Sequence, residues 1–280
     1  EEAFDRIREW LNRNKDNNTR LKAALTFQGG YNDFTSISHF TPLQKILAIS
    51  PPFDIVQSFI KYAPEALQMR NELGGLPIHR ACLNGASLEV IQAIVNSYPE
   101  SVKVTNIFDQ LPLHLACQNK ASLLEVLTFL IDSYPDGIDQ KDSMDRTPLD
   151  KLKQMEYAIG KDNNGMLPLH HACNNGYSLH LIHFLIRAYP DSTTVQDDDG
   201  NTPFQYLTKT ASRVDERGML LLHREAAHFR GLNVEMLPIL LHANPEAIRL
   251  RDTSGLLPLH HASLNEASSL DALMLLVKLY

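Results

Sequence analysis

The residues best suited to chemistry lie in one short stretch, Leu167 to Cys173, which reads LPLHHAC. His170 and Cys173 are three residues apart and would share one face of a helix. Imidazole and thiolate both bind zinc, so a metal site is the first hypothesis. Two further pairs have the same spacing, namely His79 with Cys82 and His114 with Cys117. The alternative is that both residue types occupy structural positions of a repeat.

The stretch is one copy of a repeated pattern. LPLH recurs at Leu111–His114 and Leu257–His260, and LPIH at Leu76–His79 is a near copy. Looser copies begin at Thr41, Thr147, Thr202 and Leu220. Anchored on the second residue of each copy, the spacings are 35, 35, 36, 20, 35, 18 and 37 residues. Periods of this length indicate stacked helical repeats.

Each full copy predicts two helices and a turn. Proline suits the first helical position because its missing N–H has no partner there. A second helix then ends before another proline, which cannot continue it. The tail places Asp or Asn three residues before Gly or Asp, a pattern typical of turns. Four serines are candidate N-caps of second helices: Ser87, Ser122, Ser178 and Ser268.

In these features the chain resembles the ankyrin-repeat family, whose repeats read Gly-x-Thr-Pro-Leu-His-x-Ala. The resemblance covers residues 35–280. It implies an all-α, ankyrin-type helical solenoid of about eight repeats, two of them short, around 147–167 and 202–220. Residues 1–34 are then N-terminal capping helices. The resemblance also implies protein recognition through a concave face and protruding loops, or fingers, without catalysis and without a cofactor.

The copies depart from the family pattern in one respect, because threonine and histidine do not occur together in them. The copies that begin with threonine carry Gln44, Asp150 and Gln205 in place of histidine. Threonine with Gln or Asp three residues later resembles a capping box, whereas leucine cannot cap. One hypothesis is that histidine then bonds the backbone of a neighbouring loop, the bracing role that it has in the family.

The geometry of the repeat argues against a metal site shared between the His–Cys pairs of neighbouring copies. Packed helices lie about 8–10 Å apart, whereas a closed zinc site needs about four ligands that converge to ~2 Å. The same spacing exceeds the ~7 Å limit for a disulfide. We therefore expect Cys82, Cys117 and Cys173 to be reduced, mostly buried and metal-free.

The position after the histidine varies from copy to copy, which indicates a face that packing does not constrain. A solvated helix face is one interpretation, and a contact surface on the concave side is the one we favour. The predicted partner-binding residues at this position are Arg80, Leu115, Lys151, His171, Arg224 and His261.

Two finger residues extend this predicted surface. Phe108 and Met144 are apolar where other copies are polar. An exposed pair on neighbouring fingers would anchor a partner. The alternative is that each side chain tucks against its own loop, and the sequence leaves both open.

The two short copies lack about 15 residues, the length of a second helix with its loop. They are either half-repeats or places where residues are omitted, and the second reading predicts chain breaks near residues 155–158 and 211–215. We also expect the native chain to continue with proline after Tyr280. The apolar side of Leu273, Leu276 and Val277 would then be covered by something absent from this sequence.

Composition limits the possible functions. The 280 residues are 44% hydrophobic with a net charge of −7, which disfavours nucleic acid as a partner, and no apolar run is long enough to span a membrane. Glycine-rich phosphate loops, G-x-S-x-G and H-E-x-x-H are absent. Three cysteines fit a reducing, intracellular compartment, and the cytoplasm is the expected location. The expected partner is another protein, while a permanent structural subunit and a regulatory domain of an enzyme remain alternatives.

Overall fold

The computed structural model describes residues 2–14, 41–119, 124–155, 160–227, 234, 237–266 and 268–280. The chain divides into two compact units, an N-terminal unit of Glu1–Met155 and a C-terminal unit of Glu156–Tyr280. The described residues are helical with no strand among them, which confirms the all-α class and is consistent with an ankyrin-type helical solenoid.

The N-terminal unit contains two rows of stacked helices. Its helices are α1 (Glu2–Asn14), α2 (Pro42–Ile46), α3 (Phe53–Tyr62), α4 (Pro77–Leu83), α5 (Leu88–Ser97), α6 (Pro112–Cys117), α7 (Leu124–Ser133) and α8 (Pro148–Lys153). The first helices of successive repeats pack together, α4 on α6 and α6 on α8. The second helices do the same, α3 on α5 and α5 on α7. Buried aliphatic residues such as Ile78, Ile91 and Leu127 form the core between the rows.

The C-terminal unit is built from the same elements. Its helices are α9 (Pro168–Asn175), α10 (Leu179–Ala188), α11 (Pro203–Ala211), α12 (Leu221–Ala227), α13 (Leu237–Ala243), α14 (Pro258–Leu264) and α15 (Leu270–Leu279). Helix α9 packs on α10 and on α11, and α12 packs on α14. Phe184 and Leu207 are fully buried between these helices.

Helix boundaries follow the predicted signals with one shift. Thr41 Oγ1 accepts the Gln44 N–H at 3.3 Å, and Ser178 accepts the Leu181 N–H at 3.4 Å. The last helix is capped by Ser269 rather than by the predicted Ser268, and Ser122 lies outside the described residues. Second helices end before proline, where 3₁₀ turns follow at Pro64–Gln68, Pro99–Lys103, Pro135–Ile138, Pro190–Thr194 and Pro245–Ile248.

The turn between repeats, which we call a finger, has a constant internal geometry. Asn106 Oδ1 accepts the N–H groups of Phe108 and Gln110 at 2.9 and 3.0 Å. The fourth finger residue has a positive φ, 66° at Gly74 and 54° at Asp109, which is why glycine or aspartate stands there. In the N-terminal unit one backbone hydrogen bond joins each finger to the next, from Ile107 to Leu73 and from Ser143 to Phe108. In the C-terminal unit such bonds run from Asp198 to Asn164 and from Thr253 to Arg217.

In the short repeat around 202–220 the first helix leads directly into the next finger, and the break expected near residues 211–215 stays a prediction. Helix α11 ends at Ala211, the Arg213 N–H donates to the Thr210 carbonyl at 3.1 Å, and the next finger begins at Asp215. An open groove of about 210 Å³ lies between α11 and α13, lined by Phe204, Thr208, Pro238, Ile239, His242 and Ala243. This repeat therefore contributes one helix only. The break expected near 155–158 falls largely on residues 156–159, outside the described residues.

The first and last helices differ in how their apolar sides are covered. Helix α1 packs on α3, with Leu11 buried and an ion pair of 2.7 Å between Arg8 and Asp54. The rest of the predicted N-terminal cap, residues 15–34, lies outside the described residues. In α15, Leu276 is buried whereas Val277 is largely exposed. The apolar side of the last helix is thus only partly covered by the described residues.

Candidate functional site

Four histidines of the repeated pattern are buried and use both ring nitrogens, whereas His260 of the last copy is exposed and accepts the Leu257 N–H through Nδ1. In the N-terminal unit the Leu76 N–H donates to Nδ1 of His79 at 3.0 Å. Nε2 of the same ring lies 3.2 Å from the carbonyl oxygen of Gln110, in the next repeat. A carbonyl only accepts, so the ring is neutral with its proton on Nε2. Equivalent bridges run from His114 to Arg146, from His170 to Asn201 and from His223 to Leu250.

This geometry confirms the bracing hypothesis and explains why glutamine can replace histidine. Gln44 Oε1 accepts the Thr41 N–H at 3.3 Å. Its Nε2 donates to the carbonyls of Met69 and Gly75 in the next repeat, at 3.1 and 3.0 Å. An amide and a neutral imidazole each present one acceptor and one donor here. Asp150 can only accept, and its Oδ2 takes the N–H of Thr147 at 2.9 Å.

The bridging histidines are held neutral by their burial. Burial lowers the pKa of His79 to about 4, although hydrogen bonds to the carbonyls of Gln110 and Val104 act in the opposite direction. The pKa values of the other bridging rings are lowered for the same first cause, at His114, His170 and His223. A neutral ring keeps Nδ1 free to accept the N–H of the leucine.

The three cysteines are buried and none is paired in a disulfide, which confirms the predicted burial. Burial raises the pKa of Cys173 to about 12 and moves those of Cys82 and Cys117 further in the same direction. Among the described ranges no three His, Cys, Asp or Glu side chains are grouped as metal ligands would be. The thiols therefore have the character of small core residues.

We expect the cysteines to resist thiol reagents while the protein is folded, because only the exposed thiolate reacts quickly. In native protein at pH 8, 5,5′-dithiobis(2-nitrobenzoate) should modify less than about one thiol in an hour, a limit set by burial and raised pKa. In 6 M guanidinium chloride, reaction of all three free cysteines is expected. Rapid native labelling, or zinc in an elemental analysis, would contradict this prediction.

Two predicted surface residues are buried, so the expectation of a solvent-facing position is wrong for them. Leu115 is 7% exposed and packs in the core. Lys151 is 1% exposed, and its Nζ lies 3.0 Å from Oδ2 of Asp142. Asp142 also accepts from the guanidinium of Arg146 at 3.0 Å. The buried lysine is thus a member of an internal charge cluster.

In other repeats too, the first residue of the finger, equivalent to Asp142, pairs with the predicted surface residue that follows the histidine. His171 Nε2 donates to Oδ2 of Asp162 at 2.8 Å, and the side chains are 37% exposed. His261 makes the equivalent bond to Asp252 at 2.7 Å but is 15% exposed. Each pair is nine residues apart, as are Asp142 and Lys151. The sequence analysis missed this spacing, which could have shown that these residues are tied to their own finger.

The C-terminal unit contains one further member of this series, which the sequence analysis also missed. The hydroxyl of Tyr206 donates to Oδ2 of Asp197 at 2.6 Å. This hydrogen bond is the largest cause of the lowered pKa of Asp197 and the raised pKa of Tyr206. Where the finger begins with Asn106, the residue nine positions later is the apolar Leu115. Where the finger begins with aspartate at Asp142, Asp162, Asp197 or Asp252, the residue nine positions later is thus a hydrogen-bond donor to that carboxylate.

The two arginines of the predicted surface are more accessible. Arg224 is exposed, and Arg80 is half-buried on α4. The pKa of Asp215 is lowered mainly by hydrogen bonds from the backbone N–H groups of Met219 and Arg217. The positive charge of Arg224 contributes in the same direction. These side chains, with His171, are the predicted concave-face residues that present appreciable surface.

Phe108 and Met144 lie on neighbouring fingers of the N-terminal unit and face solvent. Their side chains are 43% and 67% exposed. The Ser143 N–H donates to the Phe108 carbonyl at 2.9 Å and joins the two fingers. The alternative that both tuck against their own loops is therefore wrong. Leu73 and Ile107, which the sequence analysis passed over, are also exposed on this series of fingers.

Comparison with known proteins gives one family. The model of the ankyrin repeat matches residues 164–195, which contain α9, α10 and the 3₁₀ turn at Pro190–Thr194. No curated protein matches the chain significantly. Within the described part of the chain, none of the helices combines the length and apolarity needed to cross a bilayer.

An ankyrin repeat suggests a protein–protein interaction module, and the family is generally non-catalytic. The chain carries an ankyrin repeat at residues 164–195, within an all-helical, repeat-rich structure that is consistent with an ankyrin-repeat protein.

Proposed function

We propose that this chain is a non-catalytic scaffold or recognition module that binds another protein through the fingers of its N-terminal unit. The observation that carries the proposal is the exposure of Phe108 and Met144 on two hydrogen-bonded fingers. Apolar side chains grouped on a rigid surface are typical anchors of a partner.

Accessible concave-face residues are proposed as further contacts in each unit taken by itself. Arg80 belongs to it in the N-terminal unit, and His171 and Arg224 in the C-terminal unit, where a polar rim would fix orientation. Leu115 and Lys151 are left out because they are buried. His261 is left out because Asp252 and the ring of His223 cover most of its surface. The free, buried thiols support a reducing compartment as the place of action.

Changing Phe108 and Met144 to serine is expected to weaken partner binding at least about tenfold, the effect of losing one or two anchors. The melting temperature and helical circular dichroism should stay nearly unchanged, because both side chains face solvent in the free protein. The whole chain is used as bait, and the proteins that co-purify are identified. Each is then titrated against the wild type and against the double variant.

A matched control is Val214→Ser, which removes an exposed apolar side chain beside a finger of the C-terminal unit, outside the fingers of the N-terminal unit; Val214 is 63% exposed. The control should bind like the wild type. Equal weakening by the control, or parallel loss of fold and binding in the double variant, would rule out the fingers as the contact surface.

A further inference from the structure

The last finger of the C-terminal unit contains a serine that two arginines precede at short distances. From Arg249 to Ser254 the chain reads Arg-Leu-Arg-Asp-Thr-Ser, so the arginines stand five and three residues before the serine. No other arginine of the sequence is followed three residues later by serine or threonine. Protein kinases with an acidic peptide groove select their substrates by such charge patterns. The segment therefore has the charge pattern of a kinase substrate.

The structure leaves this segment accessible. Between residues 249 and 255 only Asp252 is buried, and the other six residues are exposed. The preceding finger lies against one side, since a Cβ atom added to Gly218 would be 3.1 Å from the backbone nitrogen of Thr253. The equivalent atom on Gly255 would meet nothing within 4 Å in the described part of the chain. An enzyme can therefore approach the finger from its open side.

The two hydroxyl groups of this finger differ in their hydrogen bonds. Thr253 Oγ1 donates to the carbonyl of Arg217 in the neighbouring finger at 2.7 Å. Ser254 is held through its backbone, whose N–H donates to Oδ1 of Asp252 at 2.8 Å. Its hydroxyl has no hydrogen-bond partner among the described residues. The serine hydroxyl is thus the one that can leave the protein surface without losing a bond.

The two arginines of the segment make only exposed hydrogen bonds to backbone carbonyls. Arg251 Nη1 donates to the carbonyl of Gly255 at 2.7 Å, and Arg249 Nη2 donates to that of Tyr280 at 2.9 Å. Such bonds contribute little net free energy because water competes for both partners. Bonds from a guanidinium to a carboxylate are stronger. Both side chains can therefore be transferred to the carboxylates of an acidic groove.

We propose that Ser254 is the acceptor of a serine/threonine protein kinase that recognises arginine three and five residues before it. In this reaction the hydroxyl oxygen of Ser254 forms a bond to the γ-phosphorus of ATP, and the bond from that phosphorus to the β-phosphate oxygen breaks. The products are phosphoserine and ADP, and the hydroxyl proton passes to the catalytic base of the kinase.

Phosphorylation would change the charge of this end of the C-terminal unit. Phosphoserine carries about −1.5 to −2 charges at pH 7 and presents three acceptor oxygens. Arg251 belongs to the same finger, and Arg217 belongs to the finger that is joined to it. Guanidinium groups are the usual partners of phosphate. The modification would therefore neutralise the arginines that border the finger.

The test incubates the whole folded chain with magnesium ATP and a purified kinase that requires arginine at both positions in its peptide substrates. The phosphate is quantified by intact mass and located by fragmentation of proteolytic peptides. The test variants are Ser254→Ala and Arg249→Gln/Arg251→Gln. The matched control is Ser143→Ala, because Ser143 is another exposed finger serine and neither residue at the equivalent distances before it is basic.

We expect one phosphate per chain on Ser254, none in Ser254→Ala, and an unchanged amount in Ser143→Ala. Replacing the two arginines should lower kcat/KM for phosphorylation at least about tenfold, the effect of losing charge-assisted hydrogen bonds to the enzyme. The same variant also releases the finger from the bond between Arg251 and Gly255. An unchanged or higher rate would therefore show that the kinase responds to exposure and not to the arginines.

Two further outcomes would overturn the proposal. The first is phosphate on Thr253 or in another finger with Ser254 unmodified. The second is phosphorylation of a synthetic peptide of residues 246–258, which shows that the kinase is active, without phosphorylation of the folded chain. In that case the folded finger excludes the enzyme.

Discussion

Replacing Asp142 by Asn is expected to lower the free energy of unfolding by about 3–5 kcal/mol, because it leaves a buried ammonium without its counter-charge. The side chains of Asp142 and Lys151 are both 1% exposed. Burial by itself would raise the pKa of Asp142, but hydrogen bonds from Lys151 and from Arg146 outweigh it and hold that pKa well below its usual range. The measurement is urea unfolding at pH 7, followed by circular dichroism.

Replacing Lys151, the other member of the pair, should lower the free energy of unfolding much less. In Lys151→Met the carboxylate of Asp142 keeps the guanidinium of Arg146 and the N–H groups of Met144 and Arg146. The expected loss is therefore below about 2 kcal/mol, and the Asp142→Asn/Lys151→Met double variant should recover most of the stability.

Asp162→Asn provides the matched control. Asp162 has the same finger position but pairs with a half-exposed His171, so its replacement should change the free energy of unfolding by less than about 1 kcal/mol. Similar losses in Asp142→Asn and Asp162→Asn would show that burial of the pair has no special consequence.

Acidification from pH 7 to pH 4 is expected to destabilise the repeats through the bridging histidines. In the unfolded chain a histidine titrates near 6.5, whereas in the folded protein the pKa of His79 is about 4. A group with a lowered folded-state pKa stabilises the protein fully above 6.5, and this contribution is lost as the pH falls towards 4. For His79 the difference corresponds to about 3 kcal/mol, at 1.36 kcal/mol per pKa unit.

His79→Gln isolates this contribution, because Gln44 already makes the same two hydrogen bonds in another repeat. At pH 7.5 the variant should remain folded. Between pH 7.5 and 4.5 its free energy of unfolding should fall less steeply than that of the wild type, by up to about 3 kcal/mol in total. Parallel pH dependences in urea titrations would mean that protonation of His79 does not limit acid stability.

Much of the fold could be predicted because its signals are local. Proline starts helices at Pro77, Pro112 and Pro168, and the same residue type ends the second helices, since it cannot donate an intrahelical hydrogen bond. Fingers form where Asp or Asn caps its own turn. Such preferences act within a few residues and can be read from the sequence. The shift of one N-cap to Ser269 shows the limit, because adjacent serines cap equally well.

The candidate site depended on neighbours that lie far away in the sequence. The variable position after the histidine was interpreted as surface, yet Lys151 is buried and Leu115 lies in the core, while His171 is accessible. The burial of a residue depends on which helices and fingers pack over it. It therefore cannot be predicted from the residue type alone. The nine-residue pairing of Asp142 with Lys151 was present in the sequence but acquired a meaning only from the distance between the side chains.

The sequence by itself determined the all-helical repeat, its period, the buried cysteines and the class of surface that such a stack offers, because these follow from helix capping, turn preference and periodic burial. The tertiary structure decided which side chains reach that surface. It placed the nitrogens of His79 between two repeats, joined Phe108 to the finger of Met144, and left their side chains in solvent. Contacts between repeats decide these features, and they bring together residues more than 30 positions apart.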